Sequence, residues 1–309
     1  MWLDEVTREM MITSNEHLLF PNSDNQHLIK TVPHYKNTMK ISEIAIRDLL
    51  PLSLMSTPCV SIQKQAKVEE AVGLLVPYLE SMTDSLVVTG DKNEPVGIIG
   101  GREVIEKVLA NPTSRIFDHT TAENIMSLQI TKILGTTKLK EIIEEWQKTG
   151  RAFSIIPNSI GGYSAISARK ILEIGKSSMT DMSISELPKK KTVTFSMDAT
   201  VNEVIKLMLK HGTRKLLLEN TNQFVSDRII IEKIATDLNY LRNTDNFLDL
   251  PIVGFGLEYA KVITKDLKVN ELASIMFGMM HPYAIFKDRT ISPWDICLAL
   301  LSERMQEYG

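Results

Sequence analysis

Four times along this chain a triplet like V-x-E opens an amphipathic helix, and each time two short strands and a second helix follow. The triplets are Val68-Glu69-Glu70, Leu139-Lys140-Glu141, Val201-Asn202-Glu203 and Val269-Asn270-Glu271, at steps of 71, 62 and 68 residues. That period is longer than those of solenoid repeats, so each copy should be a small α/β subdomain. The third copy is the plainest. In "ATVNEVIKLMLKHG", Val201, Val204, Ile205 and Met208 fall at i, i+3, i+4 and i+7 and share one helical face. Gly212 predicts the helix stop. "KLLLE" then reads as a strand, "TNQ" as a turn and Phe224-Val225 as the next strand, before Ser226 opens "DRIIIEKIA" as a helix.

The other copies keep this order. The fourth has "LKVNELASIMFG", "YAIF", "KDR", "TIS" and a helix after Ser292. The first has "AKVEEAVGLL", "DSLVV", "GDKNE", "PVGII" and "REVIEKVL"; the second has "TKLKEIIEEWQKTG", "AFSII", "NSIGG", "YSAIS" and "RKILEI". At the start of the last helix, "ISPWDI" has a purely local explanation. Ser292 suits an N-cap, Pro293 the first helical position, and Asp295 completes a capping box, with Ile291 and Ile296 placed as a hydrophobic staple.

These segments resemble a CBS domain, the β-α-β-β-α module named after cystathionine β-synthase. "LMSTPCVSI", "AKVEEAVGLL", "DSLVV" and "EPVGIIGGREVI" carry the likeness in the first copy, and "TVTFSMDATVNEVIKLMLKHGTRKLLLE" is similar to the front half of another. The resemblance implies an α/β (α+β) fold of four tandem units covering 46–115, 116–178, 179–242 and 243–309, preceded by an N-terminal extension over 1–45 that is partly helical or loosely ordered. Such units fold in pairs, sheet against sheet, because one alone cannot hide its apolar sheet face. Four units imply two pairs.

The resemblance also implies a ligand. CBS pairs commonly bind adenine nucleotides between their members, with a Ser or Thr and an Asp three residues on at the last strand–helix junction. Ser292 and Asp295 match this: Asp295 would accept from the ribose hydroxyls, and Ser292 would donate to a phosphate at the helix start. Adenine would lie against backbone near Val262, Ile263 and Thr264, while Arg214, Lys215, Arg228 and His281 would face phosphate charge. Copy three keeps the hydroxyl at Ser226 but has Ile229 in place of the acid. Copy two has Ser167 and Lys170, and copy one has Gly100 and Glu103. One good pocket is expected, at the fourth copy, for AMP, ADP or ATP; S-adenosylmethionine is an alternative.

The remaining features exclude more than they add. The formal charge of −3 offers no general attraction to nucleic acid or anionic membranes, and "KKK" at 189–191 reads as a solvated turn. Two cysteines, Cys59 and Cys297, form neither a disulfide framework nor a zinc motif and read as reduced thiols of a cytoplasmic protein. The apolar stretch Leu49 to Gln63 is too short to span a bilayer and is broken by Pro51 and Pro58. The six histidines form no metal-ligand spacing, and neither a P-loop nor a catalytic triad signature occurs, so no catalysis, catalytic cofactor or metal is expected. Trp146 and Met208 belong to helical stripes that face a core. The preferred reading is a nucleotide-binding regulator with an unidentified protein partner, and pairing as a homodimer through its helix faces is a further expectation. A ligand-free interaction scaffold is the alternative, ahead of a nucleic-acid-binding regulator.

Overall fold

The computed structural model describes residues 40–307 except 77–81, 83, 114 and 159–160. The helix expected near the start of the chain falls outside the described residues. The end of that extension is part of the fold: Ile41 and Ile44 are buried, and Ala45 bridges to Lys138.

Copies 1, 3 and 4 are built as expected, and copy 2 in all but its first strand. Copy 1 comprises β1 (Ser61–Gln63), α1 (Val68–Leu75), β2 (Ser85–Thr89), β3 (Pro95–Gly100) and α2 (Gly101–Ala110). Copy 2 comprises α3 (Leu139–Thr149), β4 (Phe153–Pro157), β5 (Tyr163–Ser167) and α4 (Ala168–Lys176). Copy 3 has β6 (Thr194–Phe195), α5 (Val201–His211), β7 (Lys215–Leu218), β8 (Gln223–Ser226) and α6 (Asp227–Thr236). Copy 4 has β9 (Lys261–Ile263), α7 (Val269–Phe277), β10 (Ala284–Phe286), β11 (Arg289–Ile291) and α8 (Pro293–Ala299). In copies 1, 3 and 4 the first strand runs parallel to the second, and the second pairs antiparallel with the third.

Copy 2 departs from this at its first strand, which is reduced to one parallel bridge between Lys132 and Ile155. Beyond Ile133 the backbone turns away. The Leu134 N–H goes to the Thr137 hydroxyl, and the Gly135 carbonyl accepts from Arg47 N–H. These bonds end the ladder.

The apolar stripe of α5 is fully buried, with Val201, Val204 and Ile205 at 0% exposure, and Gly212 ends that helix in the left-handed region at φ 58°. Fully burying such side chains contributes about 1.5–3 kcal/mol each. The cores join copies that are not neighbours in sequence. Helices of copies 1 and 3 share one apolar core, and those of copies 2 and 4 share another. Sheets meet between sequence neighbours: Val87 and Ile98 of copy 1 cluster with Phe153, Ile155 and Ala165 of copy 2. In the second pair, Phe224 lies 4.9 Å from Tyr283, ring centre to ring centre. Trp146 and Met208 are core residues, and the Trp146 indole N–H donates to Ser154. The helix faces expected to meet a second chain are therefore largely consumed between the two pairs of this one.

Lead-in segments are exchanged within each pair. The chain entering copy 1 bridges from Pro58 to Ser164 on β5, and the chain entering copy 2 bridges from Ser127 to Ile98 on β3. Glu258–Tyr259, leading into copy 4, pairs antiparallel with β8. Among the described residues no helix is long and apolar enough to cross a membrane.

Candidate functional site

Each last strand hands over to its second helix at a corner, and the four corners differ in what fills them. In copy 4, Asp295 is 5% exposed and does the work of a helix cap. Its Oδ2 accepts from both the backbone N–H and the hydroxyl of Ser292, each at 2.8 Å. Its Oδ1 lies 2.5 Å from Lys190 Nζ. Lys190 comes from the "KKK" run, which therefore lies against copy 4 instead of forming a free turn. Val262 is about half exposed, Thr264 is exposed, and the Ile263 side chain is buried in the core shared by copies 2 and 4. Trp294 packs against that same core.

The copy 1 corner holds its acid more tightly. The Glu103 carboxylate accepts from Gly100 N–H at 2.8 Å and pairs with Arg151, which enters from copy 2. In copy 2 the equivalent position is Lys170, 1% exposed, whose ammonium donates to the carbonyls of Leu54 and Ala165 at 2.9 and 2.8 Å. Burial lowers its pKa to about 8. A cation now occupies that corner. In copy 3, Ser226 is a buried N-cap whose Oγ accepts from Ile229 N–H at 3.2 Å.

Between copies 1 and 3 the sequence-selected cations converge. Arg228 donates to Asp84 at 2.8 Å, and Arg214 donates through Nε to Asp227 at 2.7 Å. Lys215 donates to the Pro282 carbonyl at 2.6 Å, with its ammonium 5.0 Å from the Tyr283 ring centre. His281 Nε2 sits 3.6 Å from Glu232, and Arg169 donates to the Met279 carbonyl at 3.1 Å. A small recess of about 20 Å³ opens here, with Asp84, Gly101, Arg214, Arg228 and Glu232 among its lining. Gly101 is required by the close approach of α2 and α6. A Cβ there would stand 2.1 Å from the Asp227 carboxylate oxygen, and Asp227 is 2% exposed.

Electrostatics at this centre are those of crowded positive charge. Burial, followed by the neighbouring Arg214, pushes the Lys215 ammonium down to about 7. Burial and then Arg228, Lys215 and Arg169 bring His281 down to about 4, so it is neutral at physiological pH. Burial also lowers Arg228 to about 10 and raises the Glu232 carboxyl. For Asp84, burial works upward, but Arg228 and the cations behind it outweigh that and hold its carboxyl low. Among the described residues no carboxylate pairs with Lys215. An incoming anion would restore its charge and replace the water it has lost.

The structure thus gathers Arg214, Lys215, Arg228 and His281 as a group, with Ser226 at the edge of the same corner, while Ser292 and Asp295 stand at the copy 4 corner with Lys190. Sequence reasoning missed Arg169, Asp84, Asp227 and Arg151. One signal was available: Arg102, Arg169 and Arg228 occupy the same third place of the four-residue junction in three copies. Among the described residues no group of three or more His, Cys, Asp or Glu side chains is placed to hold a metal ion.

Residues 46–110 and 184–232 match the family profile of the CBS domain. No curated protein matches the sequence. Among solved structures, the chain is similar to a Methanocaldococcus jannaschii protein described as a candidate archaeal homologue of g-AMPK. That likeness has 14% identity and a TM-score of 0.68, over 83% of this chain and 99% of that one. An uncharacterised conserved protein of Pyrococcus horikoshii overlaps 80% of this chain and 97% of its own at 12% identity and a TM-score of 0.49. A candidate signal-transduction protein with CBS domains from Burkholderia ambifaria MC40-6 overlaps 41% and 88%, at 20% identity and a TM-score of 0.34. The first likeness speaks for the fold alone, over a span that no single pair fills.

Proposed function

We propose that this chain, a CBS-domain protein, is a non-catalytic regulator that binds an adenine nucleotide of the AMP, ADP or ATP class in a cleft between paired units. The observation that carries this reading is the basic centre. Arg169, Arg214, Lys215 and Arg228 crowd together there, and Lys215 is pushed down to about 7 with no carboxylate paired to it among the described residues. Phosphate oxygens fit such a group, because arginine forks and a lysine supply charge-assisted donors. Ser292 and Asp295 are the proposed contacts for the rest of the nucleotide, with the backbone of 262–264 beside adenine. The description of the Methanocaldococcus protein as related to g-AMPK points in the same direction.

Binding would act by differential affinity. A ligand that fits one arrangement of the paired units better than another shifts the population toward it, and a protein partner reads the shift. The test is a melting scan with AMP, ADP, ATP and S-adenosylmethionine. A nucleotide present at a hundred times its dissociation constant adds about 2.7 kcal/mol of stability. A flat response across all four compounds sinks the nucleotide reading.

A second reading, the ligand-free scaffold, is favoured by a specific observation: Asp84, Glu103 and Asp227 each already hold a cation, and the Asp84–Arg228 and Glu103–Arg151 pairs join different copies. The same melting scan separates the two.

A further inference from the structure

We propose that Lys190 is a built-in competitor at the copy 4 corner: its ammonium occupies the one oxygen of Asp295 that helix capping leaves open, and a nucleotide enters only by displacing it. This rests on the nucleotide reading given above and adds how that site is regulated. Oδ2 of Asp295 is engaged by Ser292. Only Oδ1 remains to receive a ribose hydroxyl, and Lys190 Nζ is 2.5 Å from it.

The link that carries Lys190 is anchored on copy 4 itself. Arg289 donates to the carbonyls of Ile184 and Leu187 at 3.3 and 2.8 Å, and Lys189 lies 3.5 Å from Asp288. The competitor is therefore tethered beside its target at high effective concentration.

What makes the contact a latch and not a fixture is exposure. The Lys190 side chain is 44% exposed, whereas Arg151, the cation on the copy 1 acid, is only 17% exposed. An ammonium on a flexible four-carbon stem regains its water easily when it lets go. In copies 2 and 3, Lys170 and Ile229 have already replaced the acid, so there is no carboxylate to guard. Copy 4 combines an available acid with a displaceable cation.

The test compares wild type, Lys190→Ala and Lys190→Arg by calorimetric titration with AMP, ADP and ATP. Mass-spectrometric amine labelling of Lys190 in the wild type runs alongside, with Lys189 and Lys191 as internal references. Loss of the latch should tighten nucleotide binding about ten-fold, the factor that corresponds to 1.4 kcal/mol, a size typical of a charge-assisted hydrogen bond. Lys190→Arg, which keeps the pair, should show no gain. Nucleotide should raise Lys190 labelling relative to its neighbours. Equal or weaker binding by Lys190→Ala, or unchanged labelling of Lys190 in the bound protein, overturns the latch and leaves nucleotide binding standing. If no variant binds any of the three nucleotides, the nucleotide reading fails and the latch falls with it.

Discussion

Lys215 concentrates the chemistry of the centre in one side chain. Its folded pKa of about 7 lies well below the ordinary lysine value of 10.5. Between those values the unfolded chain keeps a proton that the folded chain has released, so stability rises with pH across that window. Below about pH 7 both states hold the proton and the full penalty is present. Lys215→Met should therefore stabilise the unliganded protein most near pH 6, with the advantage shrinking by up to about 1.4 kcal/mol per pH unit as pH climbs toward 10. Urea titrations of both proteins at pH 6, 8 and 9.5 check this. At this scale the sequence was partly legible. The repeat register picked out Arg214, Lys215, Arg228 and His281, since strand and helix starts have recognisable neighbours. Asp84 and Lys190 escaped because their partners, Arg228 and Asp295, lie in other copies, and one sequence carries no record of which side chains meet across a gap.

Two helical glycines show how elements are fitted together. Gly175, in α4, lies where that helix crosses α7 and α8. A Cβ there would stand 2.9 Å from the Ile296 side chain and 3.1 Å from Ala273, both fully buried. Gly73, in α1, is exposed with nothing within 4 Å of such a Cβ. Alanine gains up to about 1 kcal/mol of helix propensity at either site. At position 175 overpacking costs about 1–3 kcal/mol and exceeds that gain. Gly175→Ala should lower the melting temperature and Gly73→Ala should raise it, as differential scanning calorimetry would show. The elements themselves were readable because their signals are local: the stripe of Val201 to Met208, the stop at Gly212, and the Ser292–Asp295 cap all needed only nearby residues. The first strand of copy 2 failed to form as expected because its ladder is ended by Arg47, far away in sequence.

For the whole molecule, Asp84 and Arg228 join copy 1 to copy 3 with side chains that are each 16% exposed. Removing one partner strands the other charge, so Arg228→Met should cost about 3–5 kcal/mol. The double variant with Asp84→Asn should recover part of that loss, and guanidinium unfolding of the full cycle measures the coupling. Pairing of sheets between sequence neighbours followed from the need to hide a small sheet's apolar face. The sharing of helical cores between copies 1 and 3, and between 2 and 4, did not, since a helix stripe says that it is buried but not against what. That sharing fixes the order of events on the ribosome. The first pair emerges with its helical flank bare and must wait for its counterpart, while Ile41 at the front of the fold finds its hydrogen-bond acceptor, Met305, only after the fourth copy has been made. During that interval the nascent chain carries a greasy surface that calls for shelter by a chaperone or for swift elongation.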